Sequence, residues 1–117
     1  MNYIDAFVVA VPTDKQAEYM AHARSMVEVF KAYGAIKLVE CWGDDVPEGK
    51  LTSFPLAVKC EPHETVVFSW IEWPSKAIRD EAMPKLMADP RMNIEDNPMP
   101  FDGKRMIFGG FQQVLVS

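Results

Sequence analysis

Residues 65–73 read TVVFSWIEW, and the alternation inside that run decides the fold. Along a strand, successive side chains point to opposite faces of the sheet. Val66, Phe68 and Trp70 therefore share one side, and Val67, Ile71 and Trp73 the other. A sheet with one wet face alternates apolar and polar residues. This run is apolar on both sides. Residues 3–11, YIDAFVVAV, repeat the pattern, with Phe7, Val9 and Val11 set against Ile4, Ala6 and Val8. Two strands thus ask for cover above and below.

The flanking segments supply helices. In residues 12–34, Tyr19, Ala23, Met26, Val27, Phe30 and Tyr33 recur at spacings of three and four, which predicts an amphipathic helix. Thr13 and Gln16 form a capping-box pattern before it, and Gly34 offers a left-handed cap after it. Residues 35–43, AIKLVECWG, read as a strand with Ile36, Leu38, Glu40 and Trp42 on one side. The connection over 44–64 is rich in turn residues, with a short helix predicted at 53–59, opened by Ser53 with Pro55 in its first turn. A second long helix starts at the Ser75 cap and turns Ile78, Ala82 and Leu86 inward. Asp89 and Pro90 open one extra turn reaching Ile94, and a last strand is expected from Lys104 to Val116.

The order strand, helix, strand, strand, helix, strand is the ferredoxin-like βαββαβ pattern, an α+β fold with a four-stranded antiparallel sheet. Its two substantial helices lie on the same side of the sheet. The other face, apolar as well, needs a different cover. A second copy packed sheet to sheet about a twofold axis supplies it, so the expectation is a homodimer.

Composition narrows the function. A chain of 117 residues forms a single domain, residues 1–117, around one core. Lys and Arg number 12 against 17 Asp and Glu, for a net charge of −5, so the basic footprint of a nucleic-acid binder is missing. Apolar runs fall short of the roughly 18 residues of a membrane span. The first residues lack the basic start of a secretory signal, which makes the cytoplasm the expected location. Cys41 and Cys60 stand at no metal-ligand spacing from His22 or His63 and read as free thiols.

The strings GDDVPEGKLTSFPLAVK (43–59), TVVFSWIEWPS (65–75) and PFDGKRMIFGGF (100–111) resemble the YbaA-like family of small bacterial proteins over essentially the whole chain. The resemblance implies a dimeric α+β barrel, in which two ferredoxin-like sheets meet. The wider superfamily that it resembles includes cofactor-free monooxygenases and haem-degrading enzymes, with small molecules held between helices and sheet. It assigns no catalytic residues to positions of this chain.

Residues 100–116 concentrate glycines, Lys104, Arg105 and aromatics, yet phosphate binding does not fit them. Gly103-Lys104 is followed by Arg105 rather than Ser or Thr, and no helix follows Gly109-Gly110. Glycines inside a strand mark a bulge, a close approach, or a hollow in a pocket wall.

Candidate site residues follow from polar groups in apolar settings. Asp5, Glu40 and Glu72 sit in otherwise apolar strands, where an unpaired carboxylate is costly. Glu40 shares a face with Trp42, and Glu72 with Trp70. Beside an aromatic wall such a group can serve as a base of raised pKa; the plainer reading is an ion pair with Lys37, Arg79 or Arg105. His22 flanks the apolar face of the first helix, where it can reach a pocket or simply sit on the flank. The pocket set is therefore His22, Glu40, Trp42, Trp70, Glu72, Arg105, Gly109 and Gly110. The five methionines at 83, 87, 92, 99 and 106 fill a core or line an adaptable pocket. Asp44, Asp45, His63 and Glu64 suit a solvated turn better than a metal site, and neither metal nor cofactor is called for. The expected function is small-molecule binding between helices and sheet, with cofactor-independent oxygenation or isomerisation as compatible chemistry. The alternative is a non-catalytic dimeric domain with no pocket.

Overall fold

The computed structural model describes residues 1–93, 95 and 97–117. Strands β1 (Tyr3–Pro12), β2 (Lys37–Trp42), β3 (Glu64–Trp73) and β4 (Ile107–Gln112) alternate with helices α1 (Gln16–Ala32), α2 (Phe54–Ala57) and α3 (Lys76–Ala88). The sheet runs β2-β3-β1-β4, and every neighbouring pair is antiparallel. This order is consistent with the ferredoxin-like arrangement, with α1 following β1 and α3 following β3.

Local chemistry explains most boundaries. Ser53 caps α2 by accepting from the Leu56 N–H at 3.0 Å, and Ser75 caps α3 by accepting from Ile78 at 3.2 Å. Asp89 opens the 3-10 turn Pro90–Met92 in the same way; Ile94, its expected last residue, lies outside the described residues. Gly34 takes φ +111° after α1, as a left-handed cap requires. Two expectations fail. Thr13 does not cap α1, because its hydroxyl pairs with that of Thr65 at 2.7 Å and a 3-10 turn, Thr13–Lys15, intervenes. The last strand starts later than Lys104, because Asp102 caps a 3-10 turn over Gly103–Arg105, and it ends at Gln112.

On the helix face, Tyr3, Ile71 and Trp73 pack against Val29, Ala82 and Leu86. Trp73 is wholly buried and donates its indole N–H to Asp5 Oδ2 at 2.9 Å. Asp5 Oδ1 lies 3.4 Å from Arg79 Nε, an ion-pair contact that leaves that N–H without a well-aligned hydrogen bond. The same guanidinium stacks 4.8 Å from the Tyr3 ring centre. Burial pushes the Asp5 carboxyl above the usual range, with Arg79 and Trp73 opposing.

The opposite face corrects the expectation that only a second copy could cover it. Val8, Ala10 and Val66 are buried beneath Val58, so the chain roofs one end of that face with its own α2 segment. Lys59 adopts φ +49° just beyond α2, and Cys60 N–H returns to Pro55 O at 2.9 Å, which folds the connection back onto the sheet. The rest stays open. Phe68, Ile107 and Phe111 are 38%, 44% and 58% exposed, and the register sets them beside Ile4, Ala6 and Trp70.

Gly109 and Gly110 sit in an unbroken register opposite Ala6 and Asp5, so no bulge is present. Gly110 faces the helices, where a Cβ would overlap the Tyr3 hydroxyl and the Arg79 guanidinium. Gly109 faces the open side, and a Cβ there would meet only the Phe111 ring, at 3.5 Å. Gly110→Ala is therefore expected to destabilise the fold by about 2 kcal/mol. Gly109→Ala should stay within about 0.5 kcal/mol. Urea denaturation of both variants checks this contrast.

Candidate functional site

A cavity of about 200 Å³ lies between α1, the sheet and the segment that leads to β4. Its position follows from helical spacing. Tyr19, His22, Ala23, Met26 and Phe30 project from one side of α1 at intervals of three and four, and all of them line it. The sheet contributes Phe7, Glu40, Ser69 and Ile71, and Met92, Met99, Phe101 and Met106 close the far side.

Among the described residues, Glu40 is the carboxylate of this lining. It projects from edge strand β2 on the helix face, paired in register with Ser69. The Tyr19 hydroxyl donates to Glu40 Oε2 at 2.7 Å. Glu40 is exposed at the sheet edge, and its side chain is partly desolvated where it borders the largely apolar lining. Burial accordingly raises its pKa, and the Tyr19 hydrogen bond pulls the other way. The Tyr19 phenol is pushed far up by burial and by the neighbouring charge, with the Ser69 hydroxyl opposing. Tyr19 is itself held by Trp42 and Phe101, with ring centres 6.4 and 5.9 Å away.

His22 reaches the cavity too. Its Nδ1 lies 3.1 Å from Asn97 Oδ1, and Asn97 Nδ2 donates to Ser25 Oγ at 2.8 Å. This bridge ties the segment before β4 to α1. With Nδ1 as the donor, Nε2 remains available as an acceptor.

The structure divides the expected site residues. His22 and Glu40 share the cavity, with Trp42 behind Tyr19. Trp70 borders it from β3, but the register turns its side chain to the open face, 5.8 Å from the Phe68 ring. Glu72 lies on that open face as well, opposite Ile4, and accepts from Asn2 Nδ2 at 2.8 Å. The two carboxylate–tryptophan pairs therefore occupy opposite sides of the sheet and form no common pocket. Arg105 also lies outside the cavity: it donates to Glu64 at 2.7 and 2.6 Å, to the Lys59 carbonyl at 2.9 Å and to Asp102 at 3.2 Å. Gly110 makes room for Tyr3 and Arg79, and Gly109 notches the open face. Of the three strand carboxylates, only Asp5 meets one of the expected cations.

Tyr19, Ser69, Asn97 and Phe101 join the site without having been singled out as functional. Tyr19 carried the one available signal, a hydroxyl on an apolar helix face. Met92, Met99 and Met106 line the cavity, Met92 and Met106 while also packing against the core clusters; Met83 packs against the core and Met87 is exposed. Near the chain reversal, Glu61, His63 and Glu64 bring potential ligand atoms within 4.8 Å of one another, but Arg105 engages both Glu64 oxygens.

Fold and cavity together define a small α+β protein with a single antiparallel sheet and an apolar chamber bearing a carboxyl–phenol pair. The chain belongs to the family described as "Protein of unknown function (DUF1428)", whose model matches residues 2–103. It is 56% identical over 115 residues to "Uncharacterized protein YbaA" of Escherichia coli (strain K12), covering 98% of each chain. The Shigella flexneri relative of the same description matches to the same extent, 56% over 115 residues. Among solved structures, an uncharacterized NIPSNAP-like domain protein from Burkholderia xenovorans shares the fold, with a TM-score of 0.57 at 14% identity over 99% of this chain and 88% of that one.

Two outcomes follow. Tyr19→Phe removes the hydrogen bond that lowers the Glu40 pKa, so that pKa should rise further, as read by carboxyl NMR titration. The bidentate Arg105 pair holds Glu64 near 2, below its ordinary 4.5. Its stabilisation is thus present above pH 4.5 and lost as pH falls toward 2. Glu64→Gln should cost about 2 kcal/mol at neutral pH. That gap should close on acidification through this window, measured by denaturation at each pH.

Proposed function

We propose that this protein is a homodimer that binds a small, largely apolar molecule between α1 and the sheet, with Glu40 and Tyr19 at the polar end. One observation carries the reading: a carboxyl of raised pKa, hydrogen-bonded to a buried phenol, in a chamber walled by aromatic and thioether side chains. Such a carboxyl can accept a proton from a bound carbon or oxygen acid and return it elsewhere, with the Tyr19 O–H holding it in place. Isomerisation by proton transfer, or an oxygenation begun by deprotonating the substrate, needs that equipment. The fold-level likeness adds a weaker argument, since fold alone does not determine chemistry.

The dimer is supported by what α2 leaves uncovered. Ile4, Ala6, Val39, Phe68, Trp70 and Phe111 form an apolar area on the open face, fitted to sheet-on-sheet contact with a second copy. That arrangement is the dimeric α+β barrel implied by the family resemblance.

Native mass spectrometry of the protein purified from its own host tests both parts. The expected mass is that of two chains plus at least one small molecule. A single-chain mass at micromolar concentration would overturn the dimer. A bare dimer, with no added mass across repeated preparations, would favour the purely structural role.

A further inference from the structure

We propose that the natural occupant of the cavity is an organic ammonium compound with an apolar body, its cationic nitrogen set against Glu40 beside the Tyr19 and Phe101 rings. The inference rests on the binding role proposed above and names the ligand class for that same site.

The charge inventory leads there. Glu40 contributes a carboxylate, and among the described residues no Lys or Arg side chain lines the cavity. Among the described residues, the titratable groups lining the cavity with Glu40 are Tyr19 and His22, both from α1; β3 presents Ser69, and the segment before β4 presents Met99, Phe101 and Met106. An anionic ligand would therefore meet repulsion from Glu40, with no Lys or Arg among the described lining residues to offset it. Tyr19 occupies one carboxylate oxygen, Oε2, so the other is open to a second donor. Apolar neighbours that partly desolvate a carboxylate, with no cation beside it, carry a cost. A cation offsets that cost more fully than a neutral hydroxyl, because its hydrogen bond is charge-assisted. The rings add to the choice, since aromatic faces attract cations, and Tyr19, Phe101, Phe7 and Phe30 all line the cavity. The methionines suit the apolar remainder.

Three probes of matched shape separate the possibilities by calorimetry at pH 7.5: phenethylamine, 2-phenylethanol and 3-phenylpropionate. The amine should bind about tenfold more tightly than the alcohol, and the carboxylate more weakly than either. Glu40→Gln, with its fold checked by circular dichroism, should abolish the amine's advantage while leaving alcohol affinity within about threefold. The amine's affinity should also rise with pH as Glu40 ionises. In Tyr19→Phe, where the Glu40 pKa is higher, the midpoint of that rise should move up. That shift keeps the test decisive if Glu40→Gln fails to fold. An alcohol that matches the amine, or an amine preference that survives in Glu40→Gln, overturns the ligand class and leaves the binding role standing. If none of the three binds at millimolar concentration, the binding role falls with it.

Discussion

The pairing of β1 with β3 is the constraint on which the rest depends. These strands run antiparallel from Tyr3 opposite Trp73 to Pro12 opposite Glu64. Every side chain that matters later is assigned to a face by that register, because a shift of one residue would exchange the two faces. It puts Asp5, Trp73 and Ser69 under the helices and Ala6, Trp70 and Glu72 on the far side. The Asp5 carboxylate reinforces it: with Trp73 and Arg79 in place it is tolerated in the core, and in the slipped register it would face the other way.

From that frame the cavity follows with few further conditions. α1 lies over β2 and β3 because its apolar face covers Leu38, Ile71 and Trp73, which carries Tyr19 and His22 over Glu40 and Ser69. The last wall comes from the segment before β4, held through Asn97 at α1 and through Arg105 at Glu64. Arg105 thus shapes the site from outside, by fixing where the strand that follows begins. The cavity is an outcome of packing: a helix of alternating bulk over a sheet whose edge strand carries one misplaced charge.

Much of this was legible in the residues. Caps at Ser53, Ser75 and Asp89 were readable because each is a bond between residues two or three apart. Thr13 misled because its partner, Thr65, is remote in sequence. The two-sided apolarity of β1 and β3 came from period-two patterning, and the fold class from the succession of strands and helices. Glu40 and Glu72 gave the same signal, a carboxylate near a tryptophan, yet only Glu40 faces the helices; parity within a strand says which residues share a face, and not which face is inside. The roof of α2 over Val8 and Val66 was hidden for a similar reason, since a loop's composition does not say where it lies. Arg105 and the glycines drew attention by type, and their work proved to be clamping and clearance.

The wall of thioethers has one more effect. Met26, Met92, Met99 and Met106 all border the cavity, and an unbranched side chain that turns about three single bonds takes its shape from its neighbours. The chamber behaves as a soft mould, whose dimensions are set by the occupant as much as by the backbone. Bulk is then a poor basis for choosing between guests. Discrimination falls to the rigid end, where a phenol and a carboxylate are fixed by a strand and a helix that have no comparable freedom.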